Sequence, residues 1–88
     1  MIKTLFHRRF EKKFTKLSAK LKKQFKERKD LFIVDPYNRI LNNHPLKGKY
    51  SGCYSINITG DIRAVYEFVG KDVVYFIDID THPHLYRS

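Results

Sequence analysis

Two short stretches gather side chains able to move protons and hold anions. "HPLKGKYSGCY", residues 44–54, opens on His44 and sets Lys47 and Lys49 around Gly48; "DTHPHLYRS", residues 80–88, brings His82, His84 and Tyr86. Between them stand Asp61, in "TGD", and Arg63, in a run that alternates like a strand. Imidazole titrates near pH ~6.5, so both of its forms are present at neutral pH. Guanidinium offers a fixed fork of donors for oxyanions. Singly, each residue has an ordinary structural explanation: His44 and Asp61 suit turns, and a terminal "HPH" is usually exposed. Their convergence on one sheet is the argument for a site.

Other chemistries are disfavoured. Cys53 is the single cysteine, so no intramolecular disulfide can form, and it reads as a small apolar strand residue, because nothing nearby would depress its pKa. His82-x-His84 lacks the spacing of a structural zinc site, so His44, Asp61, His82 and His84 are not expected to hold a metal. No cofactor is expected. There is neither an apolar stretch of membrane-spanning length nor a hydrophobic leader with a small-residue cleavage site, which points to a cytoplasmic protein with no membrane partner.

The elements that must position these residues follow from periodicity. Ile2 to Phe6 suits a short strand. Over 8–29 the apolar residues Phe10, Phe14, Leu17, Leu21 and Phe25 recur every three or four positions, which predicts one long helix of about six turns. Asp35-Pro36 predicts the start of a second, short helix with Tyr37, Ile40 and Leu41 on its apolar face. Three alternating runs follow, 54–59, 62–69 and 73–80, joined by "TGD" at 59–61 and "GK" at 70–71.

Pairing 58 with 62 and 69 with 72 sets Ile56 beside Ala64 beside Ile77, and Tyr54 beside Tyr66 beside Tyr75, on the face that meets the helix. It places Arg63 between Asn57 and Asp78 on the opposite, more open face. The expected fold is α+β: an N-terminal strand, two helices of which the first is long and basic, then an antiparallel meander of three strands packed on the helices. At 88 residues this is one domain, residues 1–88, able to bury somewhat over ~60% of its unfolded surface.

Charge is distributed unevenly. Residues 1–43 carry 13 Lys/Arg against four acids, whereas 44–88 carry five of each, so the whole formal charge of +9 arises in the first half. Such a field attracts nucleic acid, an acidic membrane surface or an acidic protein.

Three blocks together resemble a known family. "HPLKGKYSG" at 44–52, "GDIRAVYE" at 60–67 and "IDTHPHLY" at 79–86 are similar, in order, to the H-x-L-x-G lead into the sheet, the D-x-R-x-x-Y central strand and the closing G-T-H-x-x-L-[FY] segment of the RelE/ParE superfamily. These are toxins of bacterial type II toxin–antitoxin modules, and the blocks most resemble the YafQ-like messenger-RNA interferases. The resemblance spans essentially the whole chain and implies a RelE-like fold. It also implies a metal-independent endoribonuclease that cuts messenger RNA on the ribosome and is inhibited by a cognate antitoxin, expected to be acidic where it binds.

Carried over by position, His44 and His82 match the family's site histidines, Asp61 its acidic residue, Arg63 its phosphate-contacting arginine, and Tyr86 its closing aromatic, suited to stacking on a base. The implied chemistry is attack of a ribose 2′-hydroxyl on the adjacent phosphorus. A base takes the 2′ proton, an acid protonates the leaving 5′ oxygen, and cations hold the phosphoryl charge. Lys47 and Lys49 join Arg63 in the last task, with Asn57 and His84 beside the substrate.

Two departures stand out. Asn57 occupies the place of a third family histidine and cannot act as a general acid, and Asp80 replaces a glycine. His44 and His82 are then left to share the proton work, or His84 to substitute. Two rival readings keep the scaffold without the chemistry: a ParE-like toxin acting on DNA gyrase, and a non-catalytic RNA-binding module using the basic helix and exposed tyrosines.

Overall fold

The structure, a computed structural model, describes residues 2–85; Tyr86 lies outside the described residues. Strand β1 (Lys3–Phe6) leads into helices α1 (Arg8–Thr15) and α2 (Ala19–Val34). After a 3-10 turn at Arg39–Leu41 come β2 (His44–Pro45), a second 3-10 turn at Gly48–Tyr50, β3 (Tyr54–Asn57), β4 (Ile62–Gly70), β5 (Val73–Thr81) and the short α3 (His82–Leu85). The sheet order is β1-β5-β4-β3-β2, with β1 parallel to β5 and the other neighbours antiparallel. The α+β class and the β3–β4–β5 meander agree with the expectation. No helix among the described residues is long and apolar enough to cross a membrane.

The predicted long helix is two helices. Ser18 caps α2 by accepting from the Leu21 amide at 3.2 Å, and the Lys16 amide turns back to the carbonyls of Lys13 and Phe14. The break serves the core. Fifteen residues apart on one straight helix, Phe10 and Phe25 would stand about 22 Å apart, yet their ring centroids are 5.1 Å apart. The second helix also runs on to Val34, burying Phe32. Asp35 ends it instead of opening the next, since a residue before proline is pushed out of the helical region. In place of the predicted second helix, a 3-10 turn spans only Arg39–Leu41; Leu41 is buried while Ile40, and Tyr37 before the turn, are exposed, so the predicted apolar face is not formed.

The register is as expected between β3 and β4, with Tyr54 opposite Tyr66, Ile56 opposite Ala64 and Asn57 opposite Arg63. Between β4 and β5 it is shifted. Gly70 pairs with Val73, Tyr66 faces Phe76 instead of Tyr75, Ala64 faces Ile79 instead of Ile77, and Arg63 faces Asp80 instead of Asp78. A shift between Val65 and Tyr66 leaves Ile77 as an extra residue on β5, a bulge that reverses the alternation. Val74, Phe76 and Ile79 can therefore all enter one core although they do not share a parity.

That core lies between the sheet and α1/α2. Phe10, Phe25, Phe32, Ile56, Tyr66 and Phe76 form its centre, and the Phe76 ring lies within 6 Å of five aromatic neighbours: Phe6, Phe10, Phe25, Phe32 and Tyr66. The opposite face is not open. The segment around the second 3-10 turn and α3 cover it with a smaller cluster of Tyr50, Cys53, Val65 and Leu85, joined by Leu46 and Ile77.

Candidate active site

Four of the predicted site residues, His44, Asp61, Arg63 and His82, flank this smaller cluster through the sheet register and α3. Residues directly opposite in a sheet share a face, so His44, Ser55, Val65 and Asp78 form one row across β2 to β5. Asn57, Arg63 and Asp80 form the next row, about 6.7 Å along the strands. The His82 amide donates to the Asp61 carbonyl at 2.9 Å, pinning the start of α3 to the β3–β4 hairpin. Asp61, His82, Arg63 and Asp80 thus come together at one end of the sheet, with His44 one row away.

Details differ from expectation. The Arg63 guanidinium turns onto its own hairpin, Nη1 donating to the carbonyls of Thr59 at 3.1 Å and Gly60 at 2.9 Å, and does not pair with Asp78. Its other donors remain available to an oxyanion. His44 donates from Nδ1 to the Asn42 carbonyl at 2.7 Å, which leaves Nε2 as the nitrogen able to accept a proton.

Lys47 and Lys49 are exposed on the covering loop, where Gly48 takes a left-handed φ of 64° and Lys49 Nζ lies 5.4 Å from the Tyr50 ring centre. Asn57 lines a separate cleft of about 170 Å³ with Arg28 of α2, Ile40 and Thr59, and its Oδ1 is buried without a hydrogen-bond partner among the described residues. The structure thus brings Asn57 beside Arg63 in register but opens it toward α2.

A charged network under the site was not foreseen. Lys13 of α1 reaches Asp78 Oδ1 at 2.8 Å and Asp80 Oδ2 at 3.0 Å. Tyr50 donates its hydroxyl to Asp78 Oδ2 at 2.7 Å, and His84 Nδ1 lies 3.0 Å from Asp80 Oδ2. Asp78 is almost fully buried, so these partners are what allow a carboxylate there.

Burial alone would lower the Lys13 pKa, but the two carboxylates outweigh it and raise it. Burial alone would raise Asp80; the Thr81 amide, Lys13 and His84 reverse this and hold it below the usual carboxylate range. Burial and the bond to Asp78 push Tyr50 up to about 12. Burial also raises the Cys53 thiol, with Glu67 adding to the effect, which makes it a poor nucleophile. The one sequence signal for the network was the Asp78-x-Asp80 spacing, which places two carboxylates on one face of a strand in a chain with surplus lysine. Among the described residues, no group of three or more His, Cys, Asp or Glu could hold a metal ion.

A second surface lies on the far side of the molecule. Between β1, α1 and α2 runs an apolar groove of about 710 Å³, floored by Phe6, Phe10, Phe14 and Phe25 and edged by Lys22, Lys23, Lys26 and Lys29.

No protein-family model matches this chain, and none of the curated proteins does. Solved structures do. The chain is similar to YafQ from E. coli strain BL21(DE3) at a TM-score of 0.77 and 20% identity, covering 98% of this chain and 99% of that one. It is similar to a YoeB/ParE toxin from Agrobacterium tumefaciens at 0.77 and 20%, covering 92% and 99%, and to a copper-bound mutant toxin from Helicobacter pylori at 0.73 and 22%, covering 98% and 100%. E. coli YafQ is matched again within its complex with DinJ, at 0.75 and 20%. The fold is the RelE-like fold of the YafQ and YoeB/ParE-type toxins.

Proposed function

We propose, from that shared fold, that this chain is the toxin of a type II toxin–antitoxin pair and acts as an endoribonuclease on messenger RNA at the ribosome. The observation that carries the reading is the gathering of Asp61, Arg63 and His82 at one end of the sheet, with His44 in the neighbouring row. Arg63, Lys47 and Lys49 hold the phosphate, His44 and His82 supply imidazoles for the two proton transfers, and Asp61 fixes α3 through its carbonyl. No step calls for a metal.

The test is induction of the chain in bacteria with primer extension on a defined messenger RNA, beside His82→Ala at matched soluble level. New message ends within the reading frame, lost with a rate drop of roughly 10²–10⁴ in the variant, are expected of a catalytic imidazole. Growth arrest without new ends would turn the case to a gyrase-directed or binding-only toxin.

The proposed partner is an antitoxin, and the phenylalanine groove is its proposed seat. An apolar floor with a row of α2 lysines along one edge, and Glu11 and Thr15 of α1 along the other, is complementary to an amphipathic segment with apolar anchors and acids on the side that meets α2. The Lys29 ammonium, 6.0 Å from the Phe6 ring centre, marks where such an acid would meet the rim.

A further inference from the structure

Among the site histidines, His84 has its ring set by a carboxylate. Asp80 Oδ2 lies 3.0 Å from His84 Nδ1 and accepts at 3.0 Å from Lys13, while Oδ1 accepts from the Thr81 amide at 2.8 Å. An ionised carboxylate can only accept, so Nδ1 must carry the proton. The neutral imidazole then presents Nε2 with its lone pair free, on a side chain that is 67% exposed. The same carboxylate would stabilise an imidazolium once Nε2 takes a proton. By register Asp80 stands opposite Arg63, the residue assigned to phosphate, whose guanidinium bonds the adjoining β3–β4 hairpin. The charged and titratable groups around it are Lys13 from α1, Asp78 and Asp80 from β5, Arg63 from β4 and, through Asp78, the Tyr50 hydroxyl.

We propose that His84 is the catalytic residue that accepts the ribose 2′-hydroxyl proton, with Asp80 and Lys13 as positioning residues. This rests on the ribonuclease reading above and moves the acceptor's part from His44 to His84. Nε2 takes the proton as the O2′ electron pair bonds to phosphorus. The P–O5′ bond breaks, its electron pair leaves with O5′, and O5′ takes a proton from the His82 imidazolium. The products are a 2′,3′-cyclic phosphate and a 5′-hydroxyl, and solvent returns the proton from His84 to His82.

If His84 were only structural, loss of its imidazole would change little, since a side chain that is 67% exposed adds little to stability through one ion pair. The experiment joins two readouts. Nitrogen-15 NMR of the wild-type imidazoles reports the His84 tautomer, and single-turnover cleavage of a defined messenger RNA on ribosomes reports the chemistry for wild type, His84→Gln and Asp80→Ala. Expected are the Nδ1–H tautomer in wild type, a mixture in Asp80→Ala, a rate loss of about 10²–10⁴ in His84→Gln and a smaller loss, on the order of tenfold, in Asp80→Ala.

An Nε2–H tautomer in wild type, or cleavage by folded His84→Gln at the wild-type rate, overturns the proposal and leaves the ribonuclease reading standing. A wild-type chain that yields no new RNA ends overturns both.

Discussion

The two faces of the sheet are built on different principles. Toward α1 and α2 the sheet presents rings: Phe76 is fully buried among five aromatic neighbours, and Tyr66, also fully buried, bonds Asn43 at its edge. Toward α3 and the covering loop it presents a few apolar residues around a buried carboxylate that a lysine and a tyrosine hold in place. The first face resists change because dispersion and burial are summed over many contacts. The second depends on a few directional bonds, each expensive to leave unmade. The polar side chains of the proposed site are found at the rim of the second face. The aromatic face carries the stability that lets them stay exposed.

Substitutions on the two faces should separate these roles. Phe76→Ala opens a cavity at the centre of the aromatic face and should cost about 3–5 kcal/mol in urea unfolding. A loss below about 1 kcal/mol would mean that the ring cluster is not the stabilising centre.

Tyr50→Phe removes one hydroxyl and leaves Asp78 Oδ2 without that donor, for an expected loss of about 1–3 kcal/mol by the same assay, with the fold intact. An unchanged midpoint would show that water satisfies Asp78 equally well.

Stability should also fall at both ends of the pH scale. Asp80 is held below its ordinary value, so its contribution is present above pH ~4 and lost as the pH falls through its folded value. Tyr50, pushed up to about 12, and Lys13, also raised, contribute below pH ~10, and this is lost as the pH rises through their folded values. Burial raises Tyr66 as well, which adds to the alkaline limb. Thermal unfolding across pH should therefore show a plateau between, and Tyr50→Phe should flatten only part of the alkaline decline.

On the far surface, Lys22→Glu with Lys26→Glu should leave the unfolding midpoint within about 0.5 kcal/mol. The same pair should weaken antitoxin binding and its salt dependence, measured by calorimetry at two ionic strengths. Unchanged affinity would remove the groove from the proposed antitoxin interface.

Much of this was legible in the chain, and the failures have identifiable causes. Apolar spacing located the helical region and alternation the meander, because each pattern is local. The break at Ser18 escaped because the apolar stripe continues through it, so only tertiary packing of Phe10 on Phe25 distinguishes two helices from one. The β4–β5 register escaped because residues 73–77 are apolar at both parities, and such a strand does not reveal which residue is the bulge. His44, Asp61, Arg63 and His82 were proposed from residue type and resemblance. Lys13 was not, since nothing local links it to carboxylates more than sixty residues later.

The parallel pairing of β1 with β5 has a consequence for how the chain comes into being. Lys3 to Phe6 are synthesised seventy residues ahead of their pairing partners, Val73 to Phe76. A growing chain therefore holds α1 and α2 with their aromatic stripe unanswered until β5 has been made, and long-range pairing of this kind slows folding. Asp78, Asp80 and His82 arrive in the same late stretch. A nascent fragment that stops short of them has neither a closed core nor the proposed site, so the activity proposed for this chain would wait on the translation of β5 and α3.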